Sequence, residues 1–162
     1  MAELSPLEEK LAEVLGLAQA AQKATSKVAK LTEDEQIIGT LEQMSGEAAE
    51  TEERALALAK AREGKKTAIE EKARETKQEA EEMMNTYLSG DDVDALDGFE
   101  FLIMAEAAEL GHVEIVEKIN ETAGDGDVRE LVEFVRPIQE RHVAQVREAA
   151  LKLAAEEARE EG

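Results

Sequence analysis

Phe101-Leu102-Ile103-Met104-Ala105-Glu106-Ala107-Ala108-Glu109-Leu110-Gly111-His112-Val113-Glu114-Ile115-Val116-Glu117-Lys118-Ile119 is the most apolar run in a strongly acidic chain. Its apolar residues recur at helical spacing, and Glu106, Glu109 and His112 follow one another at steps of three. With Glu106 placed at zero on a helical projection, Leu102, Ile103, Leu110 and Val113 fall within about 60° of it. Phe101, Met104, Ala108, Ile115 and Ile119 make a second apolar face on the opposite side. A plain surface helix has one apolar stripe, so two stripes leave Glu106 flanked by apolar side chains with Glu109 at their edge. An ionised carboxylate in such a place is costly unless it is paired or binds a metal. The competing reading keeps Glu106, Glu109, Glu117 and Asn120 on a wet face. His112 diverges from Glu106 by about 120°, so the three polar residues of the run do not form one site.

The partner for those carboxylates lies farther along the chain. Val128, Leu131, Val135, Ile138, His142, Val146, Ala149 and Leu153 fall within about 40° of one line on a helix. His142 is in the middle of that line. A buried neutral histidine and a metal ligand are the two roles open to it. Glu140 points about 160° away and is excluded from any shared site. If the chain folds back near residue 125, positions 109 and 142 stand at one height.

Outside these two segments the chain again reads as helix. Ser5-Pro6-Leu7-Glu8 combines a cap, a first-position proline and a capping box. It starts a helix over about 6 to 30, with Gln22 near the centre of its apolar face. Thr32-Glu33-Asp34-Glu35 is a second capping box, and the short turn before it predicts an antiparallel hairpin. The second helix turns Ile37, Leu41, Met44, Ala48, Thr51, Ala55 and Leu58 inward. Glu47 lies beside that seam, and Glu50 is farther round. Gly64 is a helix end, although one long helix over 33–88 is the rival reading. Residues 67–88 resume as a charged helix with a thin apolar line of Ile69, Ala73, Ala80, Met83 and Leu88. It spans roughly 33 Å and reads as a crossover laid along the outside. Ser89-Gly90-Asp91-Asp92 is a linker, a helix follows over about 92 to 122, and Asp127 caps the last helix, over about 128 to 160. Pro137 predicts a kink in it, and the Glu-rich tail predicts fraying.

The fold class is therefore all-α: a four-helix bundle with a helical crossover between its second and third members. One domain is expected over 1–162, made of a hairpin at 5–62, a crossover at 63–91 and a hairpin at 92–160. The absence of Trp and Cys and the two prolines agree with a helical core built from aliphatic residues. A net charge of −20 argues against nucleic acid and against an anionic membrane surface. No apolar run reaches the roughly 18 residues of a membrane helix. Without Cys there are no thiolate metal sites. With no signal segment in view, the expected location is cytoplasmic. No nucleophile–histidine–acid set, phosphate loop or zinc pattern is present.

Within such a bundle Glu47, Glu106, Glu109 and His142 are the candidate metal ligands, with Gln22, Glu50 and His112 as weaker ones. Glu109-x-x-His112 carries little weight alone, because 39 of 162 residues are acidic.

His112-Val113-Glu114-Ile115, with the Ala-rich acidic helix before it and Ala123-Gly124-Asp125 after it, resembles the third helix of ferritin-like proteins of the YciF type, bacterial stress-associated proteins. Leu131 to Ala149 is similar to their fourth helix, and Thr67-Ala68-Ile69-Glu70-Glu71 to their crossover. The resemblance covers roughly 67–155, and the first two helices more loosely. It implies a ferritin-like fold, iron or another divalent metal as cofactor, and pairing into a homodimer. The superfamily's first-helix Glu is replaced here by Gln19 or Gln22. Its second-helix Glu-x-x-His is replaced by Glu47-Ala48-Ala49-Glu50. The resemblance implies a dinuclear iron site, and those departures leave a partial, mononuclear or vestigial site equally open. The alternative is a metal-free structural or protein-interaction bundle.

Overall fold

The computed structural model describes residues 2–161. It is all-helical: α1 (Pro6–Ala29), α2 (Glu35–Ala61), α3 (Lys66–Leu88), α4 (Ala95–Ala123) and α5 (Gly126–Glu161). The fold is bundle-like. α1 packs on α2, α3 and α4, while α5 packs on α4 and α2. α3 lies mainly against α1 and touches α4 and α2 less. No described helix is long and apolar enough to cross a membrane.

Local chemistry sets the helix ends. Ser5 accepts from Glu8 N, and Glu8 accepts from Ser5 N in return, so both orphan donors are satisfied. The second start differs from expectation. Asp34, not Thr32, caps α2 by accepting from Gln36 N and Ile37 N, and Thr32 instead accepts from Asp34 N. α2 and α3 are separate helices, divided at Gly64 with φ +76°, a conformation that glycine enters without penalty. The α4–α5 turn uses Gly124 at φ +67° as the C-cap. Asn120 donates to Asp125 O and accepts from Asp125 N. Asp125, not Asp127, caps α5 through Asp127 N and Val128 N. A side-chain acceptor one residue ahead of the helix meets those donors, whereas a residue already in the first turn cannot. α5 runs through Pro137 and stays helical to Glu161.

Two other expectations are corrected by packing. On α3 the buried methionine is Met84, while Met83 is 55% exposed. The second apolar face of α4 is only partly covered: Phe101 is buried, but Ala108, Met104 and Ile115 face solvent. α3 contributes too little of itself to α4 to cover that side.

The core is divided along the bundle axis. At one end Leu11, Leu15, Ala59, Ile69, Val116, Val128 and Val135 form one apolar cluster. At the other Val28, Leu41, Met44, Leu88, Phe99, Leu102 and Val146 form a second. The gap between them falls near residue 47 on α2, 106–109 on α4 and 139–142 on α5. A layer of polar side chains occupies it. At the first end Arg62 donates to Glu8 at 2.9 Å and to Asp125 at 2.7 Å. That single side chain joins the start of α1, the end of α2 and the α4–α5 turn. At the opposite end Lys152 meets Asp34 at 2.9 Å.

Candidate functional site

The polar layer is a continuous chain of contacts. Nε2 of His142 stands 2.9 Å from Oε1 of Glu47, and Nδ1 stands 3.3 Å from Oε1 of Glu106. Arg141 reaches the same Glu47 with both guanidinium nitrogens, one of them at 3.0 Å. Glu109 follows Glu106 by three residues on α4, so the two side chains are neighbours. Gln139 donates to the backbone oxygen of Glu106 at 3.2 Å. Glu106 and His142 are each 2% exposed. This overturns the wet-face reading of Glu106. The i, i+3 spacing of Gln139 and His142 puts both on the inner face of α5, and Arg141 reaches Glu47 from the partly exposed side.

The ionisation states follow from these contacts. Burial opposes the charged form of Glu106, but its neighbours Glu109, His142 and Gln139 outweigh it and lower its pKa. Burial of the Glu109 carboxyl, followed by the adjacent Glu106 charge, raises the Glu109 pKa well above the ordinary value. Charge is thus favoured on Glu106 and the neutral acid at Glu109, because two neighbouring buried carboxylates cannot both ionise cheaply. Burial also opposes the imidazolium of His142, yet the bonds to Glu106 and Glu47 outweigh it and raise its pKa. The buried histidine is therefore favoured as a cation, not as the neutral ring the sequence suggests. Arg141 is the main cause of the lowered pKa of Glu47, partly opposed by burial and assisted by His142. These contacts favour the charged forms of Arg141, His142, Glu47 and Glu106 and the neutral form of Glu109.

Four sequence candidates, Glu47, Glu106, Glu109 and His142, meet in this layer. The weaker three stand elsewhere. Gln22 is half-buried and donates to Glu52 at 2.9 Å. Glu50 is exposed and pairs with Arg54. His112 pairs with Glu13 of α1 at 3.2 Å, and its Nδ1 lies 2.8 Å from Ala108 O. Sequence reasoning missed Gln139 and Arg141. Gln139 had a signal, its helical spacing from His142. Arg141 had none, because its role depends on how α5 is rotated against α2.

Among the described residues no three His, Asp or Glu side chains are grouped as a metal would require. The reason is visible in the ring. Its two nitrogens point to different carboxylates on different helices, so Glu47 and Glu106 are not on one side of it. No family model, curated protein or solved structure matches the chain.

Proposed function

We propose that this chain is a ferritin-like four-helix bundle, with α3 as its crossover, whose central carboxylate–histidine layer acts as a metal-free structural ion cluster in a binding or interaction protein. The order of contacts supports the architecture, since α1, α2, α5 and α4 touch in a closed ring with α3 outside it. The carrying observation for the function is that the centre neutralises itself. Both nitrogens of His142 are engaged by carboxylates, and Arg141 occupies Glu47 from outside. Such a layer fixes helix register and rotation at some expense in desolvation, a role for which buried polar groups are best suited.

One observation favours a second reading, a metal-binding stress protein of the YciF type. Glu106 lies beside Nδ1, with Glu109 three residues along the same helix and Glu47 behind Nε2 as the outer hydrogen bond that a ligating imidazole usually has. In that reading Glu106, Glu109 and His142 would hold one divalent ion. The donors are suitable in kind, but their present arrangement is that of ion pairs, and carboxylate rotation would have to precede binding.

Metal content after growth in iron-rich medium, together with melting in and out of chelator, separates the two. The metal-free reading expects no stoichiometric metal and one melting temperature. A bound ion whose removal lowers the melting temperature would overturn it in favour of the second reading.

A further inference from the structure

A cavity of about 100 Å³ lies between α1, α3 and α4, beside the polar layer and on the side away from α2 and α5. Packed interiors hold few voids larger than a water molecule, so this one needs a cause. Alanines supply it. Ala20, Ala21 and Ala24 of α1, Ala80 of α3, and Ala105 and Ala108 of α4 leave room where three helices converge. The helices are held from closing over that room. At one end of the cavity α3 lies so near α1 that no Cβ fits between Gly16 and the Ala73 carbonyl. At the other end Leu88 anchors α3 in the second apolar cluster. Between those two points α3 is one unbroken helix. Leu17, Met84 and Phe101 complete the walls, and the exposed Met83 and Met104 stand at the mouth. The three carboxyl groups at the edge present no unmet charge. Glu81 pairs with Lys23 at 3.2 Å and with Lys77 at 3.9 Å, and Glu106 pairs with His142 at 3.3 Å. Burial holds Glu109 towards its neutral form. No basic side chain lines the space.

We propose that the cavity between α1, α3 and α4 is a binding site for a short uncharged aliphatic molecule, its hydrocarbon chain lying among the alanines of the three helices and against Met84 and Phe101. An apolar cavity of about 150 Å³ holds benzene, so this one takes a chain of roughly four or five carbons. Apolar cavities stay dry, so such a chain fills empty space without displacing ordered water. An ammonium or carboxylate carried inside would be an ion without a partner, which confines the ligand to a hydrocarbon, alcohol or ketone. Methionine at the mouth suits entry, because its unbranched side chain adjusts to different shapes. This site goes beyond the structural role of the polar layer and does not depend on whether that layer holds a metal.

The test uses the methionines as reporters. Three of the five, Met83, Met84 and Met104, line the cavity, while the buried Met44 does not. Nuclear magnetic resonance of isotope-labelled methionine methyl groups follows titration of the full-length, chelator-treated protein with straight-chain alcohols from ethanol to heptanol. Pentylammonium and pentanoate serve as charged probes of equal length. Saturable shifts are expected at the three cavity methyls and not at Met44. Affinity should rise about fourfold per methylene and level off near pentanol, once the cavity is full. Both ions should bind at least about tenfold more weakly than pentanol. Ala108→Trp, at the exposed rim, should block binding, whereas Ala107→Trp, exposed on the same helix but outside the lining, should leave it unchanged. A rise in affinity that continues through heptanol would mean general adsorption to apolar surface and would overturn the proposal. So would equal binding of the ions and the alcohol, full binding by Ala108→Trp, or no saturable shift in the millimolar range.

Discussion

His142 on α5 reaches Glu47 on α2 at 2.9 Å, and this is a polar tie between two helices that share little other packing. The second ring nitrogen holds Glu106 of α4, so one imidazole joins three helices between two apolar clusters. Truncating it strands the fully buried Glu106 carboxylate, while Glu47 keeps Arg141. His142→Ala is expected to lower unfolding free energy at pH 7 by about 3–5 kcal/mol, the usual result of breaking a buried ion pair. Denaturant titration measures it. A loss below 1 kcal/mol, roughly that of an exposed pair, would remove the centre from the stabilising framework.

The same contact makes stability depend on pH at the alkaline side. The His142 pKa is raised in the folded state, so its contribution is complete below the unfolded value of about 6.5 and disappears as pH rises through the folded value. Glu109 acts in the same direction for a different reason. Burial first, and Glu106 second, hold it protonated after its unfolded counterpart has ionised, so the folded state loses ground as pH rises above 4.5. Glu109→Gln replaces the protonated acid by a neutral amide of the same shape. It should raise the melting temperature at pH 8 by a few degrees, about 1 kcal/mol in a chain of this size, and flatten the decline above pH 5. Melting curves of both proteins across pH 5–9 decide this. An unchanged slope would show that Glu109 keeps no excess proton.

The helices and most of their inner faces were legible in the sequence because capping boxes, glycine breaks and aliphatic periodicity are local signals. Ser5-Pro6-Leu7-Glu8 and Gly64 are read correctly from a few residues each. The meeting of Glu106 with His142 was legible as well, since helical projection and a fold-back near Asp125 fix both rotation and height. The charge on the imidazole was not. Whether His142 is neutral depends on how many carboxylates reach it, and Glu47 comes from a helix whose rotation the sequence leaves open by some tens of degrees. Exposure of Met104 and Ile115 was hidden for a related reason: an apolar face reveals what it prefers, not whether another helix is available to cover it.

Acid should open the bundle at its opposite, loop-rich end. Burial would raise the pKa of Glu8, but hydrogen bonds from the Ser5 backbone, Arg62 and the Ser5 hydroxyl outweigh it and bring it to about 2. The folded value is depressed, so its stabilisation is present above the unfolded value near 4.5 and is lost as pH falls from there towards 2. The amount is at most about 3 kcal/mol. Arg62→Ala should remove roughly 1–3 kcal/mol at pH 7 and shift the acid transition upward, because Glu8 and Asp125 lose their common donor. Circular dichroism during acid titration of the two proteins provides the comparison, and coincident midpoints would assign the end contact no role.

Close helix approach gives the last prediction a built-in control. A Cβ on Gly16 of α1 would overlap the Ala73 carbonyl oxygen of α3 and stand 2.9 Å from Thr76 Cβ. Relief requires α3 to move as a body, since the obstacle is backbone. Gly16→Ala should therefore cost about 1–3 kcal/mol despite the better helix propensity of alanine. Gly46 of α2 and Gly111 of α4 have nothing within 4 Å of such a Cβ. There the propensity gain acts alone, and each alanine variant should stabilise by about 0.5–1 kcal/mol. Opposite signs at equal chemistry would locate the α1–α3 contact as the place where helix spacing is set by glycine. If Gly16→Ala also stabilised, α3 would be a loosely held helix free to withdraw from α1.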